Sequence, residues 1–387
     1  EDNWYDITDG VGFSLTVKDP SATRADGFDD KSAWRPSAMA GGSPGYDDAG
    51  LTPELGAIVI NEILANPTGG VSDWIELYNT TAEAIDVGGW FVSDDADDPM
   101  RYEIAAGTVI AGGGYLVLEA DATFDNEDDP GCRSPFGLSR NGETLYLHSG
   151  ADGVLTGYSV QEKFDASEAG VSMGRYRKST GAYNFVALRA PTPGAANAEP
   201  RVGPVVISEI MYHPADTSEA EYVELLNISD APVTLYDADL GLPWRFTDDP
   251  DDPQIELLFP SDEPITLGAG EHLVLVKDPI RFAIAYDQVS EVRTLAWGAG
   301  QLSNGGDKIQ LGKPADVADD GEVTWLRADR VVYSDGSHPA DFADGIDPWP
   351  LDADGRGLAL HRIDPAAYGN DPANWQAAPS SPHRPGR

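Results

Sequence analysis

Positive charge is scarce in this chain of 387 residues: 25 Lys and Arg stand against 66 Asp and Glu, a formal net charge of −41. A nucleic-acid surface needs a basic footprint that displaces counterions, so that class is excluded. Anionic membrane surfaces are disfavoured on the same ground. Cysteine is nearly absent. The single Cys132 excludes an intrachain disulfide framework, though not secretion. No apolar run approaches the ~20 residues of a transmembrane helix, and the opening Glu1-Asp2-Asn3-Trp4 is not a signal peptide. Glutamate is the scarcer acid, since 45 of the 66 acidic residues are Asp. Asp competes with the helical backbone and favours turns and caps. With 42 Gly, 29 Pro and 41% hydrophobic residues, the chain reads as short strands joined by acidic turns around real cores. At ~150 residues per domain, two or three domains are expected.

The chain repeats itself. Ile60-Asn61-Glu62-Ile63 recurs as Ile207-Ser208-Glu209-Ile210, and Asp73-Trp74-Ile75-Glu76-Leu77-Tyr78-Asn79 as Glu221-Tyr222-Val223-Glu224-Leu225-Leu226-Asn227. Trp90-Phe91-Val92-Ser93-Asp94-Asp95 answers Trp244-Arg245-Phe246-Thr247-Asp248-Asp249, and Leu138-Ser139-Arg140-Asn141-Gly142 answers Leu302-Ser303-Asn304-Gly305-Gly306. The ends repeat too. Asp347-Pro348-Trp349, Ala353-Asp354-Gly355-Arg356-Gly357, Trp375 and Pro385-Gly386 match Asp2-Asn3-Trp4, Thr8-Asp9-Gly10-Val11-Gly12, Trp34 and Pro44-Gly45. Gly170-Val171-Ser172-Met173 through Pro193-Gly194 is a weaker third copy. The first 46 residues therefore read as the closing third of a repeat, as in a fragment or processed product of something longer.

These motifs resemble the lamin-tail domain, in its bacterial version found in large exported proteins. The first full copy departs at its end, where Ala166-Ser167-Glu168-Ala169-Gly170 replaces the Ala-Asp-Gly-x-Gly run. The resemblance implies an immunoglobulin-like β-sandwich and no settled activity, because such domains mostly accompany other modules. The residues support that fold independently. Segments 57–64, 74–79, 115–119 and 144–148 are short, rich in β-branched or aromatic residues, and bounded by Gly, Pro, Asn or Asp. Only 279–286 suggests a helix. The expected architecture is all-β: tandem immunoglobulin-like β-sandwiches, two complete lamin-tail-like domains preceded by the C-terminal third of a further repeat. The division is 1–46 partial repeat, 47–57 linker, 58–197 sandwich, 198–204 linker and 205–387 sandwich, with Pro in both short linkers arguing for a stiff rod.

The search for a nucleophile comes back empty. There is no Gly-x-Ser-x-Gly elbow, Cys132 lies in a turn-like Asp-Pro-Gly-Cys-Arg, and the six histidines are not at metal-ligand spacing. Two acidic features remain. Asp94, Asp95, Asp97 and Asp98 recur as Asp248, Asp249, Asp251 and Asp252; such clustered carboxylates either stay in water or are bridged by a cation such as Ca²⁺. Glu62 and Glu76 lie equally far from Gly69, and Glu209 and Glu224 flank a loop near Thr217. As hairpins, each pair faces itself across strands, in phase with apolar neighbours such as Ile58, Ile60 and Leu64. Facing, buried carboxylates need an Arg, backbone N–H groups, a shared proton or a metal. Paired carboxylates also suit a glycosidase, but no aromatic-lined cleft is visible. The Asn79 and Asn227 sequons fit turn caps better than sugar sites.

The leading expectation is a non-catalytic, extracellular or cell-surface segment for structure, adhesion or assembly, stabilised by calcium if the Asp runs bind it. Its partners are other copies through strand exchange, neighbouring modules of its parent, or cell-surface glycan. Two alternatives stand beside it: an accessory module of a larger exported hydrolase or kinase-like protein, and a calcium-dependent glycan binder.

Overall fold

The computed structural model describes residues 4–21, 28–215, 219–250, 252–287 and 292–382. Asp2-Asn3, Thr217, Asp251 and Pro385-Gly386, singled out above, lie outside them. The chain divides into two compact units, residues 1–175 with 185–198 and residues 176–184 with 199–387.

The chain opens with a hairpin, β1 (Leu15–Val17) and β2 (Trp34–Pro36), in which Val17 faces Trp34. It belongs to the first unit and seats on it through close backbone contact. The Gly157 N–H donates to Ala38 O at 3.1 Å, and a Cβ at 157 would lie 1.9 Å from Ser37 O, so only glycine allows the approach. Arg35 pairs with Asp48 and the Ala38 N–H donates to it. Burial pushes the Asp48 carboxyl up, but the Arg35 guanidinium and the Ala38 N–H outweigh it and bring it down to about 2.

The rest of the first unit runs β3 (Ile58–Leu64), β4 (Trp74–Asn79), β5 (Ile85–Asp86), β6 (Phe91–Ser93), β7 (Tyr102–Glu103), β8 (Val109–Ile110), β9 (Tyr115–Glu119), β10 (Gly142–Ala151), β11 (Val154–Asp165) and most of β12 (Met173–Arg177) and β13 (Tyr183–Ala187), whose facing ends at 176–177 and 183–184 count with the second unit. One sheet has the order β13-β12-β3-β4-β9 and the other β11-β10-β6-β7. Ile58, Ile60, Ile63, Ile75 and Leu77 of the first sheet meet Val92, Leu145 and Leu147 of the second in a single core.

The second unit repeats the plan with β14 (Val205–Met211), β15 (Tyr222–Asn227), β16 (Val233–Thr234), β17 (Tyr236–Asp237), β18 (Leu242–Pro243), β19 (Arg245–Thr247), β20 (Glu256–Leu258), β21 (Thr266–Leu267), β22 (His272–Val276), α1 (Pro279–Ala285), β23 (Thr294–Ala296), β24 (Gly306–Val317), β25 (Val323–Ser334), β26 (Leu358–Arg362) and β27 (Trp375–Pro379). Its sheets are β27-β26-β14-β15-β22-β23 and β25-β24-β19-β20. Helix α1 forms where the sequence suggested one. Pro279 opens it, and the Asp278 side chain accepts from the Ile280 and Arg281 N–H groups. Both units are thus all-β, immunoglobulin-like sandwiches in tandem.

The turn before β2 recurs before β27. Asp30 accepts from the Ser32 N–H, and the Trp34 indole donates to Phe28 O at 2.8 Å. In the later copy Asp371 accepts from the Ala373 N–H, and the Trp375 indole donates to Gly369 O at 2.7 Å.

One expectation is corrected. The β3–β4 register breaks between Ile60 and Glu62, and the β14–β15 register between Ile207 and Glu209. The extra residue is a β-bulge, and it inverts the alternation. Ile58 and Ile60 face the core, but so does Ile63, which leaves Glu62 on the opposite face with Leu64. The glutamate is therefore out of phase with Ile58 and Ile60.

Candidate functional site

The registers place Glu62 opposite Glu76 and Glu209 opposite Glu224. Glu62 and Glu76 are fully buried, and Glu209 and Glu224 nearly so. The bulge explains how they are tolerated. Its extra residue is Asn61 in one unit and Ser208 in the other, and each turns its side chain onto the second glutamate. Asn61 Nδ2 donates to Glu76 Oε1 at 2.7 Å, and Ser208 Oγ donates to Glu224 Oε1 at 2.7 Å. The first glutamate is met from the far end of the repeat. The Thr192 N–H and Oγ1 donate to Glu62 at 2.9 and 2.6 Å, as the Ser381 N–H does to Glu209 at 2.9 Å. In both units the donor is a hydroxyl residue immediately before proline. Each carboxylate pair therefore ties the closing strap of a sandwich to its opening hairpin.

The remaining charge is handled differently in the two units. In the first, the Gly194 N–H donates to Glu76 Oε2 at 2.5 Å. Burial pushes the Glu76 carboxyl up to about 7, with the Glu62 charge adding to it against the Gly194 and Asn61 hydrogen bonds. In the second, two histidines stand beside the pair: His361 Nε2 lies 3.2 Å from Glu209 Oε1, and His272 Nδ1 lies 2.8 Å from Glu224 Oε1. Burial opposes protonation of His361, but the hydrogen bond and charge of Glu209 outweigh it and raise the imidazole above its ordinary value. Tyr222 also donates its hydroxyl to Glu209. No histidine fits the matching place in the first unit. Gly174 faces Glu62 as His361 faces Glu209, and a Cβ there would meet Leu188 at 2.7 Å and Asn197 at 2.9 Å.

Among the described residues, the carboxylates of the Asp runs take separate partners or stay exposed. Asp94 pairs with Arg101 at 2.5 Å, Asp95 accepts from the Asp97 N–H, and Asp97 and Asp98 are exposed. Asp248 accepts from the Asp249 and Gln254 N–H groups, Asp249 lies 2.9 Å from Lys308 Nζ, and Asp252 is exposed. Among the described residues, no three His, Cys, Asp or Glu side chains are grouped as a metal site.

The sequon asparagines are buried turn ties. Asn79 Nδ2 donates to Glu83 O and Ile110 O, while Oδ1 accepts from the Thr81 N–H and hydroxyl. Asn227 repeats this with Ala231 O, Leu267 O and Ser229. Asn227→Ala leaves these carbonyls and N–H groups unpaired, so a urea titration should show a loss of ~1–3 kcal/mol in the second unit. An unchanged midpoint would mean that water replaces the amide.

Sequence reasoning missed Asn61, Ser208, Thr192, Ser381 and both pair histidines. A signal existed for the first four: a side-chain donor recurs beside the glutamate, and a hydroxyl recurs before proline near each repeat's end. It also missed a buried ion pair between the sheets, Arg362 with Asp329 at 2.6 Å. In the first unit the Glu162 carboxyl is pushed up to about 7 by burial, with the Arg175 charge pulling the other way. His213 Nδ1 lies 2.5 Å from Asp354 Oδ1.

No curated protein gives a significant match to the chain. The family model of the Lamin Tail Domain matches residues 52–164, a stretch that contains the bulged β3, its partner β4 and their glutamates. With its all-β sandwich and its repeat in the second unit, that segment is similar to the lamin tail domain family.

Proposed function

We propose that this chain is a non-catalytic structural and docking segment of an exported protein, working outside the cell as a connector between other modules. The observation that carries this reading is the use of the paired glutamates. All four accept from donors of the same unit, two on the bulge beside them and two on the strap that closes its sandwich, so they hold the fold rather than face a substrate. A glycosidase pair needs one carboxyl open to a leaving group and room for a sugar. The isolated chain is therefore expected to give no turnover of p-nitrophenyl phosphate or p-nitrophenyl glycosides. Turnover that vanishes on Glu62→Gln or Glu224→Gln would overturn the reading.

The partners on this reading are neighbouring modules of the parent protein or cell-surface material. Strand exchange between copies at residues 1–46 is less favoured, since β1–β2 is seated on its own unit and two chains of charge −41 repel. The Asp turns act as solvated turns pinned by Arg101 and Lys308. Melting in millimolar CaCl₂ should accordingly match melting in NaCl of equal ionic strength. A calcium-specific rise, reversed by chelation, would instead assign these turns a cation.

A further inference from the structure

The sheets of the two units end differently on one side. In the second unit the chain returns after α1, and β23 lies parallel to β22, with Thr294 beside Val274 and Ala296 beside Val276. The Val274 N–H donates to Arg293 O and the Trp297 N–H donates to Val276 O, both at 3.0 Å. Val274 is fully buried. In the first unit β9 holds the place of β22. Val117 faces Glu76 as Val274 faces Glu224, so Val117 and Val274 are equivalent. Yet the five-stranded sheet ends on β9, with no neighbour beyond it among the described residues.

The cause is the route of the next segment. Instead of returning to β9, it stacks Phe124 on Phe136 at 4.8 Å in the core and bridges Cys132 to Tyr102 of the opposite sheet. Which groups β9 presents follows from its ends. The Asn79 N–H donates to Gly114 O, and the Ala120 N–H donates to Asp73 O. Antiparallel alternation then turns the backbone of residues 114, 116, 118 and 120 toward β4, and that of Tyr115, Val117 and Glu119 outward. Val117 is half-buried where Val274 is covered.

We infer that the open edge of β9 is a docking site for an extended segment of another polypeptide, added parallel to β9 as β23 is added to β22. The chemistry of that segment follows from the occupant of the equivalent edge: a basic residue whose carbonyl accepts from Val117, an inward apolar residue at the place of Leu295, and a free N–H four residues after the basic one for the edge carbonyl. Strand addition of this kind takes affinity from main-chain bonds and specificity from alternate side chains. Net charge of −41 favours a basic partner and opposes a second copy. The inference rests on the docking role proposed above and names the place where docking occurs.

The probe is a fluorescent peptide of residues 292–298, Val-Arg-Thr-Leu-Ala-Trp-Gly, titrated into the full chain. Saturable binding is expected, together with slowed hydrogen exchange at the Val117 amide. Val117→Pro removes an outward N–H without touching the bonds to β4, and it should weaken binding at least about tenfold. The peptide carrying Trp297→Pro lacks the returning donor and should lose affinity similarly, whatever the protein variant does to folding. Absent binding, or binding unmoved by both prolines, overturns the inference while leaving the non-catalytic reading to its own assays. A dimer that Val117→Pro dissolves would also overturn it, by giving the edge to a second copy.

Discussion

Arg362→Ala is expected to cost the second unit ~3–5 kcal/mol, the range for breaking a buried ion pair, and to lower its melting transition by on the order of 10 °C. The Arg362 side chain is fully buried. It donates from Nη1 to Asp329 at 2.6 Å and to Ile207 O at 3.1 Å, and from Nη2 to Ala367 O at 2.7 Å. Asp329 also accepts from the Ile207 N–H at 2.9 Å. Removing the guanidinium strands a buried carboxylate and two carbonyls in a medium where an unpaired charge is expensive. Replacing both partners, Arg362→Met with Asp329→Leu, should recover only part of the loss, because the Ile207 N–H and the two carbonyls stay unpaired. Calorimetry of the single and double variants measures this directly. A loss below ~1 kcal/mol for Arg362→Ala would mean that water enters and re-solvates Asp329.

The second large effect is a pair of opposed pH dependences in the first unit. The folded chain holds the Glu76 proton up to about 7, where an ordinary glutamate releases it near 4.5. Within that window the folded state carries the extra proton, so stability falls as pH rises. His148 does the reverse. It is buried on β10, its ring nitrogens have no hydrogen-bond partner, and burial lowers its imidazole from 6.5 to about 4. There the unfolded state carries the extra proton, so stability rises with pH. Each window is about 2.5 pH units wide, about 3 kcal/mol at full extent, and the two overlap almost completely. Their contributions should therefore nearly cancel in the parent chain. Glu162, also held up to about 7 by burial, adds a falling contribution in the same window. Relative to the parent, Glu76→Gln should therefore tilt the slope upward and His148→Leu tilt it downward, read by native-state hydrogen exchange at β3 and β4 amides. Glu62→Gln should leave most of the falling limb, since burial and not the Glu62 charge is the main cause. Two variants with the same slope as the parent would overturn both assignments.

The repeat made much of this architecture legible before any coordinates. Glu62 and Glu76 are equidistant from a glycine-rich turn, so a hairpin centred there must bring them together. The same reasoning worked for Glu209 and Glu224. What it could not see is the bulge. Periodicity assigns faces by counting in twos, and an inserted residue looks like any other residue until pairing shows that it has no opposite number. For the same reason Asn61 and Ser208 read as ordinary strand positions, although they are the donors that make the glutamates tolerable. Thr192 and Ser381 were hidden by distance, since 130 and 172 residues separate them from their partners. The Asp runs were legible as turns, but which carboxylate meets Arg101 or Lys308 depends on sheet packing that no spacing encodes. The open edge of β9 was invisible altogether, because the segments after β9 and β22 differ in length and sequence and only their paths show that one returns.

The strap that closes the first sandwich sets a limit on where the chain can be cut. The region recognisable as a lamin tail domain stops at residue 164, yet the donors to Glu62 and Glu76 come from Thr192 and Gly194. A ribosome that has released the recognisable region has delivered two carboxylates with most of their partners still to come. The sandwich can form its hairpins during synthesis but not complete its lock until about thirty more residues emerge. The end of the motif and the end of the folding unit are therefore different places in this chain.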